Sequence, residues 1–91
     1  FWPTFNTKSL LGGALLGQKK YADAEPLLLT GFEGMKKQEA KIPRSLRIRL
    51  PQAAERLVQL YEATDRKDEA AKWRKELESS KTAQRQAEKQ P

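Results

Sequence analysis

The sequence predicts an all-α protein made of two antiparallel helical hairpins followed by a polar C-terminal tail. Three observations carry that expectation. Apolar residues recur at three- to four-residue spacing in four separate stretches, the period of one helical face. Short polar turns divide those stretches into pairs. Both pairs keep a step of nine residues from the end of the first apolar stripe to a small residue, Leu15 to Ala24 and Tyr61 to Ala70, at an offset of 46.

Each element has its own justification. Phe1-Trp2-Pro3 reads as an apolar lead, with Pro3 keeping the backbone out of a helix. Leu10, Leu11, Ala14 and Leu15 mark the first helix, and Thr4, Asn6 or Thr7 is expected to cap its start. Gly12-Gly13 inside that stretch costs about 1 kcal/mol per glycine relative to alanine, which points to another backbone packing closely there. Gly17-Gln18-Lys19-Lys20 forms the turn. Tyr21, Ala24, Leu27, Leu28, Phe32 and Met35 mark the second helix, and Pro26 places its start within a few residues of Tyr21. Gly31 and Gly34 are expected to weaken its far end, and Ile42-Pro43 to stop it.

Residues 44–50 alternate basic and apolar, but there is no second strand candidate to pair with them, and a lone strand leaves its backbone groups unsatisfied. A connection or an early helical turn is expected instead, with Pro51 at the first helical position. Leu50, Ala53, Ala54, Leu57, Val58 and Tyr61 mark the third helix, and Asp65 lies in the next turn. Ala70, Trp73 and Leu77 mark the fourth, with Asp68 and Glu69 in the first turn where the helix dipole favours them. The chain is nearly all polar after Leu77, so residues 79–91 are expected to fray. The expected divisions are a lead at 1–5, a first hairpin at 6–41, a basic connection at 42–50, a second hairpin at 51–78 and the tail at 79–91.

Composition narrows the chemistry. The 91 residues contain no cysteine and no histidine, which removes disulfides, thiolate nucleophiles, histidine-ligated zinc and histidine acid–base catalysis. No glycine-rich phosphate loop and no protein-kinase signature is present. No catalytic, cofactor or metal site is therefore expected in this segment. The longest apolar run is Leu27-Leu28-Leu29, far short of the roughly 20 residues that span a bilayer. A soluble, cytoplasmic protein is the expectation.

The net charge of +6 is uneven: residues 1–50 carry nine basic and four acidic side chains, residues 51–91 nine and eight. The excess is concentrated in Lys36, Lys37, Lys41, Arg44, Arg47 and Arg49, a candidate basic contact patch. Counterion release at such a cluster would suit a nucleic acid, but no aromatics are interleaved for base stacking. The other reading is a solvated connector or a contact for an acidic partner. Tyr61 and Trp73 fall on core stripes and are expected to pack, whereas Trp2 lies outside the first helix.

The register of the hairpins resembles the tetratricopeptide repeat, a helical hairpin of roughly 34 residues with a sparse Trp, Leu-Gly, Tyr, Ala, Phe, Pro pattern. In the first hairpin that pattern falls on Lys8, Leu11-Gly12, Leu15, Ala24, Leu28 and Lys36. In the second it falls on Ala54, Leu57-Val58, Tyr61, Ala70 and Arg74. The Leu-Gly pair, Leu57, Tyr61 and both alanines match, and several aromatic slots hold other residues. The 46-residue offset is closer to kinesin-light-chain-like repeats, whose units are longer. The string Thr4 to Gly17, then Lys20 to Leu28, and Asp68-Glu69-Ala70-Ala71-Lys72-Trp73 near the end, is similar to the C-terminal end of long repeat proteins from planctomycete-type bacteria. Many of those carry a serine/threonine protein kinase domain ahead of the repeats.

That resemblance implies a short right-handed superhelix and a non-catalytic scaffold for a protein or peptide partner, with upstream repeats of the same chain covering Phe1 and Trp2. It places the partner-facing concave surface on the first helix of each hairpin, at Asn6, Ser9 and Gly13, and at Gln52, Glu55 and Gln59. The Lys/Asn clamp that some family members use for C-terminal carboxylates is not reproduced.

Overall fold

A computed structural model describes the backbone of residues 2–89 and the side chains of residues 2–83. Four helices follow one another: α1 (Trp2–Gly17), α2 (Tyr21–Lys37), α3 (Arg49–Ala63) and α4 (Lys67–Lys89). Two single 3₁₀ turns, Glu39–Lys41 and Arg44–Leu46, link α2 to α3. There is no strand among the described residues, and the fold is all-α.

Helix boundaries follow from backbone chemistry, and several differ from expectation. Residues 2–5, read as a lead, form the first turn of α1. Pro3 is tolerated because N–H groups of the first turn have no intrahelical acceptor to lose. None of Thr4, Asn6 and Thr7 caps the helix start; the Thr7 hydroxyl donates back to the Pro3 carbonyl at 3.0 Å. Helix α2 starts at Tyr21 as expected, with Pro26 just past its first turn. The carbonyl this proline leaves without a partner belongs to Ala22, an exposed residue that water reaches.

Helix α2 ends at Lys37, before the expected stop at Ile42-Pro43. Pro43 acts instead on its neighbour: the residue before a proline is pushed to extended geometry, and Ile42 sits at φ −80°, ψ 125°. That turn drives the Ile42 side chain into the core, 1 % exposed. Arg47 donates its Nε–H to the Ile42 carbonyl at 3.0 Å and holds the connection closed. The alternating segment is a 3₁₀ turn running into α3, and Pro51 occupies the third helical position, not the first.

The expected frayed tail is corrected too. Helix α4 continues to Lys89, and Ser80 is buried; Gln90 and Pro91 lie outside the described residues. The stretch from Lys81 to Lys89 is rich in Ala, Gln, Lys, Arg and Glu, strong helix formers.

Within the first hairpin α1 and α2 run antiparallel: Gly12 meets Leu28, Ser9 meets Gly31 and Phe5 meets Gly34, a nearly constant sum of residue numbers. The approach is backbone to backbone. A Cβ at Gly31 would lie 2.8 Å from both the Phe5 carbonyl oxygen and the Ser9 amide nitrogen. A Cβ at Gly12 would lie 2.8 Å from the Leu28 side chain and 3.1 Å from its backbone nitrogen. The close packing expected at Gly12 is present. Gly31 meets the α1 backbone and Gly34 the Phe5 ring, so both are contact positions, not weak points.

The core lies between α2, α3 and α4, with α3 packing more extensively on α2 than on α1. It contains Ala24, Leu28, Phe32 and Met35 from α2, Leu50, Ala53, Ala54, Leu57, Leu60 and Tyr61 from α3, and Ala70, Trp73 and Leu77 from α4. Phe32 and Trp73 meet edge to face at 5.1 Å between ring centres, tying α2 to α4. Trp2, expected to lie outside the first helix, belongs to α1 and is half-buried against this cluster.

The two hairpin turns are copies of each other. Lys19 (φ 63°) and Asp65 (φ 59°) take the left-handed conformation. The Lys20 N–H reaches the Leu15 carbonyl at 2.9 Å, and the Arg66 N–H the Tyr61 carbonyl at 2.8 Å. These are six-to-one bonds that close a helix C-terminus. The Ala24 and Ala70 N–H groups then bond Lys20 and Arg66 at 2.9 and 3.0 Å. Every member of one turn lies 46 residues from its counterpart.

Candidate partner-binding surfaces

The face expected to receive a partner is divided by the fold. Ser9 is fully buried, so it is not a contact residue. Arg56 of α3 lies across α1, donating Nη1–H to the Ser9 hydroxyl at 3.0 Å. Its side chain also covers Gly13, where a Cβ would lie 3.0 Å from the Arg56 Cδ and Nε. The glycine leaves the room that this arginine occupies. Asn6 is half-buried, and its Oδ1 is shut from solvent without a hydrogen-bond partner among the described residues.

On α3, Gln52 accepts a bond from Arg49 Nη1–H at 3.2 Å. Glu55 is exposed and lines a shallow groove together with Gln52, Ile48, Pro51 and Lys81 of α4. Gln59 is exposed. Arg56 is the residue the sequence reading missed. The signal was present, since Arg49, Gln52, Arg56 and Gln59 recur at helical spacing along one stripe of α3.

The basic segment is spread from the last turn of α2 through the connection to the first turn of α3. Lys36 pairs with Glu39 at 3.4 Å, Arg47 holds the Ile42 carbonyl and Arg49 holds Gln52. Lys37, Lys41 and Arg44 are exposed. Lys36 and Lys37 also complement the C-terminal dipole of α2. Half of the patch therefore has an internal structural task.

A second polar cluster joins the hairpins. The Tyr61 hydroxyl donates to Glu25 Oε2 at 2.9 Å, and Arg66 Nη1–H donates to Glu25 Oε1 at 2.7 Å. Arg66 grips Glu69 with Nε–H and Nη2–H, both at 2.9 Å, and its guanidinium lies 4.7 Å from the centre of the Tyr61 ring. The Arg66 hydrogen bond holds the Glu25 carboxyl below the usual carboxylate range, against the opposing effect of burial. Burial, and then the bond to Glu25, pushes the Tyr61 phenol above its usual value.

The remaining carboxylates of this region lie at the surface. Asp65 faces Lys67 at 3.9 Å with both side chains almost fully exposed, and Glu62 pairs with Arg74. Among the described residues no group of three or more Asp and Glu side chains is arranged to hold a metal ion. No described helix is long and apolar enough to cross a membrane.

The outer side of α1 is apolar. Leu10 is 45 % exposed and Leu11 52 %. At the 46-residue offset Leu11 corresponds to Leu57 and Ala14 to Leu60, both buried, while Ala14 is exposed. No family model, no curated protein and no solved structure matches this chain.

Proposed function

We propose that this chain is the C-terminal end of a tetratricopeptide array that scaffolds protein–protein contacts and does no catalysis itself. The support is the internal repeat, which extends from apolar spacing to the hydrogen bonds of the turns. One observation carries the reading furthest. Leu11 and Ala14 are exposed where their counterparts Leu57 and Leu60 are buried, so α1 presents the face with which the second hairpin stacks on the first. A preceding hairpin of the same kind would cover that face, because repeat modules bury their apolar sides against neighbours. The outer residues of α4, such as Lys67, Lys75 and Glu78, are exposed and charged, as a terminal unit requires. The likeness to planctomycete-type repeat proteins adds a serine/threonine kinase domain upstream in the parent, in a cytoplasmic setting. The rival reading, a basic nucleic-acid-binding module built on Lys36–Arg49, is weakened by the internal tasks of Lys36, Arg47 and Arg49.

The test is Leu11→Arg in two contexts, the 91 residues alone and the same residues preceded by their own upstream sequence. In the longer protein the change should cost about 2 kcal/mol in urea unfolding, the scale of a buried leucine made charged. In the 91 residues it should cost less than about 0.5 kcal/mol, as surface changes do. Equal, small effects in both would refute stacking on this face.

A further inference from the structure

The fold separates charge between its two ends. Glu25, near the start of α2, meets Tyr61 and Arg66 at the close of α3, so both hairpin turns lie at one end. Phe5 meets Gly34, and Lys81 lines a groove with Ile48 and Pro51, so the connection between α2 and α3 lies at the other. The two turns, residues 17–24 and 62–69, contain four basic and five acidic side chains. The connection, residues 36–49, contains six basic and one acidic. Residues 81–89, where α4 runs past the connection, add three basic and one acidic. One end of the molecule is near neutral and the other is strongly positive.

Three of the six cations are committed: Lys36 pairs with Glu39, Arg47 holds the Ile42 carbonyl and Arg49 holds Gln52. The other three, Lys37, Lys41 and Arg44, are exposed and have no side-chain partner among the described residues. Few carboxylates offset them. Glu39 is engaged by Lys36, and the first carboxylate of α3, Glu55, shares its groove with Lys81. Apolar side chains stand among these charges: Ile48 is 44 % exposed, and Ala40 and Pro43 are exposed too. Ile42 is anchored in the core and Arg47 closes the connection over it, so this surface is presented without a cost of ordering.

We propose that this basic end docks on an anionic lipid bilayer, with Lys37, Lys41 and Arg44 at the headgroups and Ile48 entering the interface. Adsorption of this kind combines two effects. Charge attraction brings cations to anionic headgroups, and apolar side chains gain by leaving water at the acyl boundary. Each uncommitted cation strengthens adsorption roughly fivefold, so three give about a hundredfold preference over a neutral bilayer. A nucleic acid would use the cations but leave Ile48, Ala40 and Pro43 idle, and residues 36–49 hold no aromatic on which bases stack. The proposal goes beyond the scaffold reading and does not depend on it: a hairpin stacked on Leu11 and Ala14 covers a side of α1, not this end.

The test is co-sedimentation of the full 91-residue chain with vesicles of phosphatidylcholine, alone or mixed with phosphatidylglycerol, at low and at physiological salt. Binding to the mixed vesicles and not to the neutral ones, weakened by salt, is expected. Lys41→Gln and Arg44→Gln should each weaken it roughly fivefold, and Ile48→Ser about threefold. None of the three side chains is buried, so the urea unfolding midpoints should stay unchanged. Lys20→Gln, exposed in the first turn at the opposite end, should change binding less than about twofold. Absence of binding to the mixed vesicles overturns the proposal. An equal loss in Lys20→Gln overturns it as bulk charge attraction, and unchanged binding in Ile48→Ser overturns it as a contact without apolar insertion. Release of the bound protein by an equal charge of duplex DNA or polyglutamate would assign the basic end to that polyanion instead.

Discussion

The two hairpins have the same turn and the same offset, yet they are held together in different ways. In the first, α1 buries only Ser9 and Gly12, and the helices touch through glycines at backbone distance. In the second, α3 buries eight residues and α4 adds Ala70, Trp73 and Leu77 to the same core. One hairpin depends on the absence of side chains, the other on their presence. The first is thus intolerant of any added atom at its contact, whereas the second is sensitive to atoms removed. The difference also explains the apolar outer side of α1: its leucines are not used for pairing with α2.

The sharpest way to break that comparison is to add one methyl group to the first hairpin. Gly31→Ala places a Cβ against two backbone atoms of α1 that no rotamer change can move. It should destabilise by about 2–3 kcal/mol, as overpacking does, despite the better helix propensity of alanine. Gly17→Ala, where a Cβ meets nothing within 4 Å, serves as the opposite case. It should stabilise by up to about 1 kcal/mol. Urea unfolding of both variants decides the matter, and similar effects of the same sign would end the close-approach account.

The joint between the hairpins has a pH signature. Glu25 has a folded pKa below its ordinary 4.5 because Arg66 donates to it. A depressed carboxylate contributes stability that is complete above the unfolded value and is lost as pH falls through the folded one. The unfolding midpoint should therefore drop on acidification below 4.5, and the drop should be shallower in Glu25→Gln. Tyr61→Phe removes the other donor and should cost about 1 kcal/mol at neutral pH. Parallel acid profiles for wild type and Glu25→Gln would show that the cluster does not couple α2 to the second turn.

The smallest effects are expected at the turns. Lys19 and Asp65 share a left-handed conformation, which suits glycine best and aspartate better than lysine. Lys19→Gly should stabilise by up to about 1 kcal/mol and Asp65→Gly by less. The reverse order, read from thermal midpoints, would show that the two turns are not equivalent.

Much of the fold was legible in the chain. Hydrophobic period, turn composition and the 46-residue offset pointed to four helices in two pairs, and the lone alternating segment was recognised as a connection. The proline rule misled at Pro3, because the effect of a proline depends on whether its position had a hydrogen bond to lose, and at Pro43 the helix had already ended at Lys37. The polar stretch after Leu77 misled because Ala, Gln, Lys, Arg and Glu are strong helix formers as well as common tail residues. The candidate surface was less legible. Ser9 and Gly13 were assigned to an open face by periodicity alone, and periodicity says which residues share a side of one helix, not what lies over that side.

The sequence by itself determined the helical class, the pairing of the helices and the placement of charge, because these follow from local spacing and composition. Tertiary structure decided the rest. It set Gly31 against the α1 backbone and Gly34 against the Phe5 ring, half-buried Trp2, and laid Arg56 over Ser9. Those outcomes depend on residues 22 to 47 positions apart along the chain coming within a few ångströms of each other, a distance that no periodicity within one helix encodes.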